Sequence, residues 1–271
     1  MINIKEARSY YAPGSGLYIE TRGTFSKYSP AYVLSNEHLA QIMAVTHPVN
    51  KSVLAVAGSG DQPLCFRLHG AKHVDTFDIS CCARAIMDIK TAAIQNFSET
   101  EYVGLLQKLS KESDKIKFLP EFQELHDKMP AQSASFIDGM SGCKIVQRSA
   151  FDLENVPLKD EYSKLKGGLN KPFNFIWSDV DAISGKLTQK YDIIYLSNVM
   201  QYDASLDHMF DVVTSLLPHL NTNGRILLHV APYFIGDELN VFAALRVALG
   251  ARVQVQLHRS KLQELCVVKK L

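Results

Sequence analysis

The stretch Lys51-Ser-Val-Leu-Ala-Val-Ala-Gly-Ser-Gly-Asp-Gln-Pro-Leu64 decides the fold. Val53 to Ala57 are continuously apolar, as a strand buried on both faces of a parallel sheet has to be, and Gly58-Ser-Gly60 ends the run. A helix is expected from Asp61 or Gln62 to about His69. Pro63 fits its first turn, where a missing N–H leaves nothing unsatisfied, and Gly70 stops it. A second strand follows at His73–Asp78. Ser80 is then placed to cap a helix to about Asn96, whose apolar residues Ala83, Ile86, Met87, Ile89, Ala93 and Ile94 recur at helical spacing. Alternating strands and helices imply a mostly parallel sheet with helices on both faces.

Downstream, further strands are expected at Phe173–Trp177, Tyr191–Ser197, Arg225–Val230, Arg252–Leu257 and Glu264–Lys269. Helices fall at Leu206–Leu220 and Asp237–Leu249, with Asn223-Gly224 as a turn pair admitting the next strand. The link between the last two strands is too short for a parallel crossover, so the seventh strand should run antiparallel. The fold class is therefore α/β: a Rossmann-like, seven-stranded, mostly parallel sheet with an antiparallel last strand. About seventy-five residues, Phe97 to Pro172, separate the second and third strands, too many for a connecting loop. They form an insertion, helical at Glu101–Ser110 and Leu119–Met129, with charged, glycine-containing Lys159–Lys171 expected as a mobile stretch. Residues 1–50, carrying Tyr10, Tyr11, Tyr18, Phe25, Tyr28 and Tyr32, precede the sheet and are expected to form a helical, aromatic N-terminal lid. Residues 51–271 form the nucleotide-binding domain, with 97–172 as its insertion.

The 271 residues are 46% hydrophobic and 21% charged, with 29 basic and 28 acidic side chains and a formal net charge of +1. That composition suits one globular domain and gives no electrostatic footprint for nucleic acid or an anionic membrane. The amino terminus has neither a signal-peptide core nor transit-peptide bias, so a cytoplasmic location is expected. The five cysteines are odd in number and lack CxxC spacing, which argues against a disulfide framework or a zinc site. His69 and His73 are separated by Gly70 at a helix end, so no metal site is expected.

The strand, Gly58-x-Gly60, helix, strand-ending-in-acid pattern is the first half of a nucleotide-binding fold. Pro63 stands where a dinucleotide fingerprint needs its third glycine, and GxxxxGK[ST] is absent, which disfavours both NAD and a nucleoside triphosphate. The remaining ligand carries adenosine without pyrophosphate. Gly58 and Gly60 would let it approach backbone, and Asp78, eighteen residues after Gly60, would accept from both ribose hydroxyls. Ser59, Asp61 and Gln62 are further candidates on the same loop. Asp179 is placed to accept from the adenine amino group, and Val180 to offer a backbone N–H and apolar contact. At the fourth strand's end, Ser197 and Asn198 can hold an amine or carboxylate, and Tyr202 can pack on a cationic face or pass a proton. Tyr28 and Tyr32 of the lid are candidates for the same face. His229, on the fifth strand, is the histidine best placed as a base, although a strand histidine is more often a satisfied core residue.

These residues resemble the S-adenosylmethionine-dependent, Rossmann-like methyltransferase class over about Lys51 to Leu271. More narrowly, Val53–Leu64, Phe77-Asp-Ile-Ser80 and Ile89-Lys-Thr-Ala-Ala-Ile94 look like the betaine-lipid type 3-amino-3-carboxypropyl transferases. That resemblance implies S-adenosylmethionine as cofactor, contacted by Gly58, Gly60, Asp78 and Ile79. Ser80 stands where that family more usually has asparagine, and the chain shows no lipid-binding stretch, so a small-molecule acceptor is expected. A sulfonium carries three electrophilic carbons, and whichever lies in line with a nucleophile at about 3–3.5 Å is transferred. Aminocarboxypropyl transfer, intramolecular closure to azetidine-2-carboxylate with release of methylthioadenosine, methyl transfer, and cofactor binding without turnover all remain open.

Overall fold

The computed structural model describes residues 31–112, 115–140, 145–147, 159–169, 172–201, 206–230, 245–247, 249–250, 253–259 and 264–271. In chain order these form β1 (Ala31–Tyr32), α1 (Leu39–Thr46), β2 (Ser52–Val56), α2 (Asp61–Leu68), β3 (His73–Asp78) and α3 (Cys81–Asn96). Next come α4 (Glu99–Lys111), α5 (Pro120–Leu125), α6 (Ala131–Gly139), β4 (Val146–Gln147), α7 (Lys159–Gly168) and β5 (Asn174–Trp177). The last are β6 (Tyr191–Tyr195), α8 (Leu206–Leu216), β7 (Leu220–Val230), β8 (Val253–Arg259) and β9 (Glu264–Lys270). Contact density divides the chain into two compact units. One holds the described residues of 1–36, 57–64 and 78–172; the other holds 37–56, 65–77 and the described residues of 173–271.

The second unit is built on a seven-stranded sheet in the order β5-β3-β2-β6-β7-β9-β8. β2 pairs in parallel with β3 and β6, and β6 with β7, while β9 runs antiparallel to both β7 and β8. Numbered as sheet strands, the order is 3-2-1-4-5-7-6, a Rossmann-like arrangement with the antiparallel last strand that the short β8–β9 link requires. Leu54, Val56, Phe77, Ile194, Leu196, Ile226, Leu228 and Val268 of the sheet bury against Met209, Val213 and Leu216 of α8 in one core. β2 is buried at every residue after Ser52, which is why it reads as an unbroken apolar run.

The first unit centres on α3, which touches β1, α4, α5, α6 and α7. Ser80 caps α3 by accepting from the Cys82 and Ala83 N–H groups at 3.1 and 3.3 Å. Ser98 and Glu101 form a capping box that starts α4. Tyr102, Leu105, Leu106 and Leu109 of α4, Phe122 and Leu125 of α5, and Phe136 and Ile137 of α6 are buried. Lys159–Lys171 departs from expectation. Most of it is helix α7, because Tyr162 and Leu165 lie on one helical face and, with Leu169, are buried despite the surrounding charge. Gln95 Nε2 donates to the Leu169 carbonyl at 2.6 Å and so fixes its end. The two-residue pairing of β1 with β4 was not legible in the sequence.

Two boundaries also differ. The helix expected to Leu220 stops at Leu216 and tightens into a 3₁₀ turn, Leu217–His219, around Pro218. β7 then begins at Leu220, so Asn223-Gly224 lies within a strand irregularity: Tyr191 faces Leu220, yet Ile193 faces Arg225. Asn223 takes φ 62°, and a Cβ on Gly224 would lie 2.8 Å from the Asn221 carbonyl oxygen, so this pair makes a bulge. Of the helix expected at Asp237–Leu249, Leu245–Val247 and Leu249 are described and helical. Among the described residues, no helix is long and apolar enough to cross a membrane, and no group of three or more His, Cys, Asp or Glu could hold a metal ion.

Candidate functional site

In the first unit, the loop after β2 turns on Gly58 at φ 50° and Gly60 at φ 83°, both in the left-handed region. A Cβ at Gly58 would meet only Gln62 Oε1, at 3.8 Å, so backbone conformation demands that glycine. At Gly60 crowding adds to conformation, since a Cβ would lie 3.2 Å from the Met87 Cα on α3. Asp78, the last residue of β3, closes the loop from its other side. Its Oδ2 accepts from the Gly58 N–H at 3.0 Å and its Oδ1 from the Ser80 N–H at 2.9 Å. Burial raises its pKa to about 6, against the pull of the Ser80, Gly58 and Ile79 backbone donors. A carboxylate gripped in this way has a fixed plane and, with two lone-pair directions per oxygen, further capacity to accept.

Ser59, Asp61 and Gln62 turn their side chains into the protein. Ser59 Oγ donates to Asp61 Oδ2 at 3.0 Å, the Ser35 N–H donates to the same oxygen at 2.7 Å, and Gln62 Nε2 donates to Ser35 Oγ at 3.0 Å. Lys90 Nζ lies 2.6 Å from Asp61 Oδ1, and the lysine is fully buried. Sequence reasoning missed Ser35 and Lys90. The signal for Lys90 was present: it is a lysine on the apolar face of α3, between Ile86 and Ile94. Tyr32, half-buried on β1, belongs to the same unit.

In the second unit, the carboxyl ends of β6 and β7 carry a second polar cluster. Ser197, buried two residues after β6, takes φ 56°, a conformation that costs a non-glycine residue on the order of 1 kcal/mol. Its Oγ donates to Glu37 Oε1 at 2.5 Å, and the Tyr195 hydroxyl donates to Glu37 Oε2 at 2.7 Å. The His229 N–H donates to the Ser197 carbonyl at 2.9 Å. Burial lowers the His229 pKa and the Glu37 charge opposes it; burial and Glu37 together raise Tyr195 well above its ordinary range. Glu37 was not foreseen, because a single glutamate just ahead of a short helix carries no periodic signal. Asn198 is half-buried beside Ser197. Asp179 is exposed and accepts from the Ala182 N–H at 2.8 Å, which caps the turn that also carries half-buried Val180. Tyr28 and Tyr202 lie outside the described residues.

No family model matches the chain, and no curated protein matches it. Among solved structures it is similar to a ribosomal-protein methylase from Lactobacillus delbrueckii subsp. bulgaricus, at 13% identity over 86% of this chain and 76% of that one, with a TM-score of 0.43. It is also similar to an N-methyltransferase from Bradyrhizobium japonicum solved with S-adenosyl-L-homocysteine, at 8% identity over 98% and 97% of the two chains, TM-score 0.43. A third is an rRNA methyltransferase from Streptomyces viridochromogenes, at 10% identity over 91% and 88%, TM-score 0.44. At this distance the likenesses add nothing to the architecture that the strand register establishes by itself.

Proposed function

We propose that the chain is an S-adenosylmethionine-dependent transferase. Its loop Gly58–Gly60 and Asp78 bind the adenosine end, and the group donated is the 3-amino-3-carboxypropyl arm, passed to a small-molecule acceptor or closed on itself to azetidine-2-carboxylate. The observation that carries the binding assignment is the Asp78 carboxylate, locked to the Gly58 N–H at 3.0 Å at the end of β3. Adenosine chemistry fits what is present. The left-handed glycines bring backbone to the ligand without a Cβ in the way, and an oriented carboxylate suits a vicinal diol.

When bound, the cofactor supplies a sulfonium whose attached carbons are electrophilic. The protein's own contribution is orientation. Asp78, ionised above about pH 6, holds the ribose. Ile79 follows it along the backbone. From chain position alone, Asp179 and Val180 are assigned to the adenine edge, Ser197 and Asn198 to the amino-acid end, and Tyr28, Tyr32 and Tyr202 to the cationic face. A neutral amine acceptor, including the cofactor's own, needs no strong base at this centre.

The choice of the aminocarboxypropyl arm rests on the likeness of Val53–Leu64, Phe77–Ser80 and Ile89–Ile94 to the aminocarboxypropyl transferases. Incubation with S-adenosylmethionine, alone and then with metabolite extract, followed by mass spectrometry, tests it. Methylthioadenosine with a matching C4 amino-acid product is expected. S-adenosylhomocysteine in its place would make the chain a methyltransferase, and a cofactor that neither binds nor reacts would overturn the whole assignment.

A further inference from the structure

The side chain of Lys90 is entirely withdrawn from solvent in the middle of α3, where an ammonium group persists only beside a counter-charge. The counter-charge is Asp61, at 2.6 Å. Asp61 is the first residue of α2 and directly follows Gly60, so the ion pair grips the glycine loop at its exit. One turn earlier on the same helix, Met87 packs where a Cβ on Gly60 would stand, 3.2 Å from the Met87 Cα. Met87 and Lys90 are spaced i, i+3 and share one face of α3. That face therefore meets two consecutive loop residues, one by packing and one by charge.

The other oxygen of Asp61 extends the grip. It accepts from the Ser35 N–H at 2.7 Å and from Ser59 Oγ at 3.0 Å, and Gln62 returns to Ser35 Oγ at 3.0 Å. Three of the four residues from Ser59 to Gln62 thus commit their side chains to one buried network, while Gly60 has none to commit. A loop fixed from behind in this way meets a ligand with its backbone.

We propose that Lys90, acting through Asp61, is a positioning residue for the glycine loop and sets the affinity of this chain for the adenosyl cofactor. The proposal rests on the cofactor assignment made above. The pair does not touch the ligand; it holds Gly58 and Gly60 at the left-handed angles that leave room for it. Because the charges are mutually compensated, replacing both with near-isosteric neutral groups separates loop position from gross stability.

The test is the dissociation constant of S-adenosylmethionine, by isothermal titration calorimetry at pH 7.5, for the wild-type chain, D61N/K90M, S35A and the core variant V213A, each with its thermal midpoint. D61N/K90M, in which the new amide at position 61 loses its partner where the Lys90 ammonium stood, is expected to melt no lower than V213A yet bind about tenfold or more weakly, since small misplacements of a binding group are costly. V213A, which deletes buried apolar volume in the other unit, should lower the midpoint and leave affinity unchanged, as a purely structural effect would. S35A, which keeps the ion pair and removes only the acceptor of Gln62, should weaken binding by a smaller factor. A further variant, K90R, keeps the charge but sets a longer, forked head against Asp61; it should also weaken binding and serves if the double variant does not fold. Wild-type affinity in folded D61N/K90M, or in K90R where the double variant does not fold, beside a wild-type chain that binds, overturns this inference alone. A wild-type chain that does not bind overturns the cofactor assignment beneath it, and the inference with it.

Discussion

Asp61 and Glu37 are both buried carboxylates, and they are satisfied in different ways. Asp61 meets the ammonium of Lys90, twenty-nine residues further along the chain, whereas Glu37 accepts from the hydroxyls of Tyr195 and Ser197 at a strand end. A buried ion pair is an exchange of two large desolvation penalties, and removing one partner leaves the other charge stranded. A carboxylate held by hydroxyls loses less when it is neutralised, since an amide keeps one acceptor in place. The first arrangement suits a part that must not move. The second suits a strand end whose serine already stores backbone strain.

That contrast is broken or sharpened by substitution. Lys90→Met alone should destabilise by about 3–5 kcal/mol in urea unfolding, while Glu37→Gln should lose only about 1–2 kcal/mol. Equal losses would mean that the two carboxylates are not held differently. Asp78 adds a third arrangement, gripped by backbone N–H groups and available to a ligand. Asp78→Asn should raise the S-adenosylmethionine dissociation constant about 100-fold, through two weakened charge-assisted bonds, and lower the thermal midpoint modestly, since the amide nitrogen cannot accept from the Gly58 or Ser80 N–H that it would face.

Gly60→Ala should lose about 2–3 kcal/mol of stability, from the left-handed φ and the close approach of Met87. Denaturant titration showing a neutral effect would remove the packing contact from α3.

The pH dependence of binding follows from Asp78. Its pKa stands near 6, so cofactor affinity should be flat above that and fall about tenfold per unit below it, as calorimetry at several pH values would show. The contribution of this group to folding has the opposite sense. The folded state holds the proton more tightly than the unfolded one, so the contribution is fully present below the ordinary value of 3.8 and is lost as pH rises through about 6. Smallest of all, Ser197→Gly should be more stable than Ser197→Ala by about 1 kcal/mol, because both lose the bond to Glu37 but only glycine relieves φ 56°. Identical stabilities would mean that the strain at Ser197 is not stored.

The sheet was largely legible because its signals are local. β3 and α3 fall at the expected residues, Ser80 caps as read, and the antiparallel last strand followed from link length. The helix end that moved to Leu216 has a local signal in Pro218 that sequence reasoning missed, whereas the bulge at Asn223-Gly224 depends on strand register, which no single stretch encodes. α7 was hidden because its charged residues mask the short apolar spacing of Tyr162, Leu165 and Leu169. Gly58, Gly60 and Asp78 were visible as a pattern and stand together in the fold. The inward turn of Ser59, Asp61 and Gln62 was invisible, since it depends on Ser35 and Lys90, which are distant in sequence.

The most direct test of the central claim is calorimetric titration of S-adenosylmethionine into wild-type chain and Asp78→Asn at pH 7.5. Saturable binding at one site, lost about 100-fold in the variant, is predicted from two charge-assisted ribose bonds. No binding to the wild type, or equal affinity in both, would contradict the assignment of Gly58, Gly60 and Asp78 as a cofactor site.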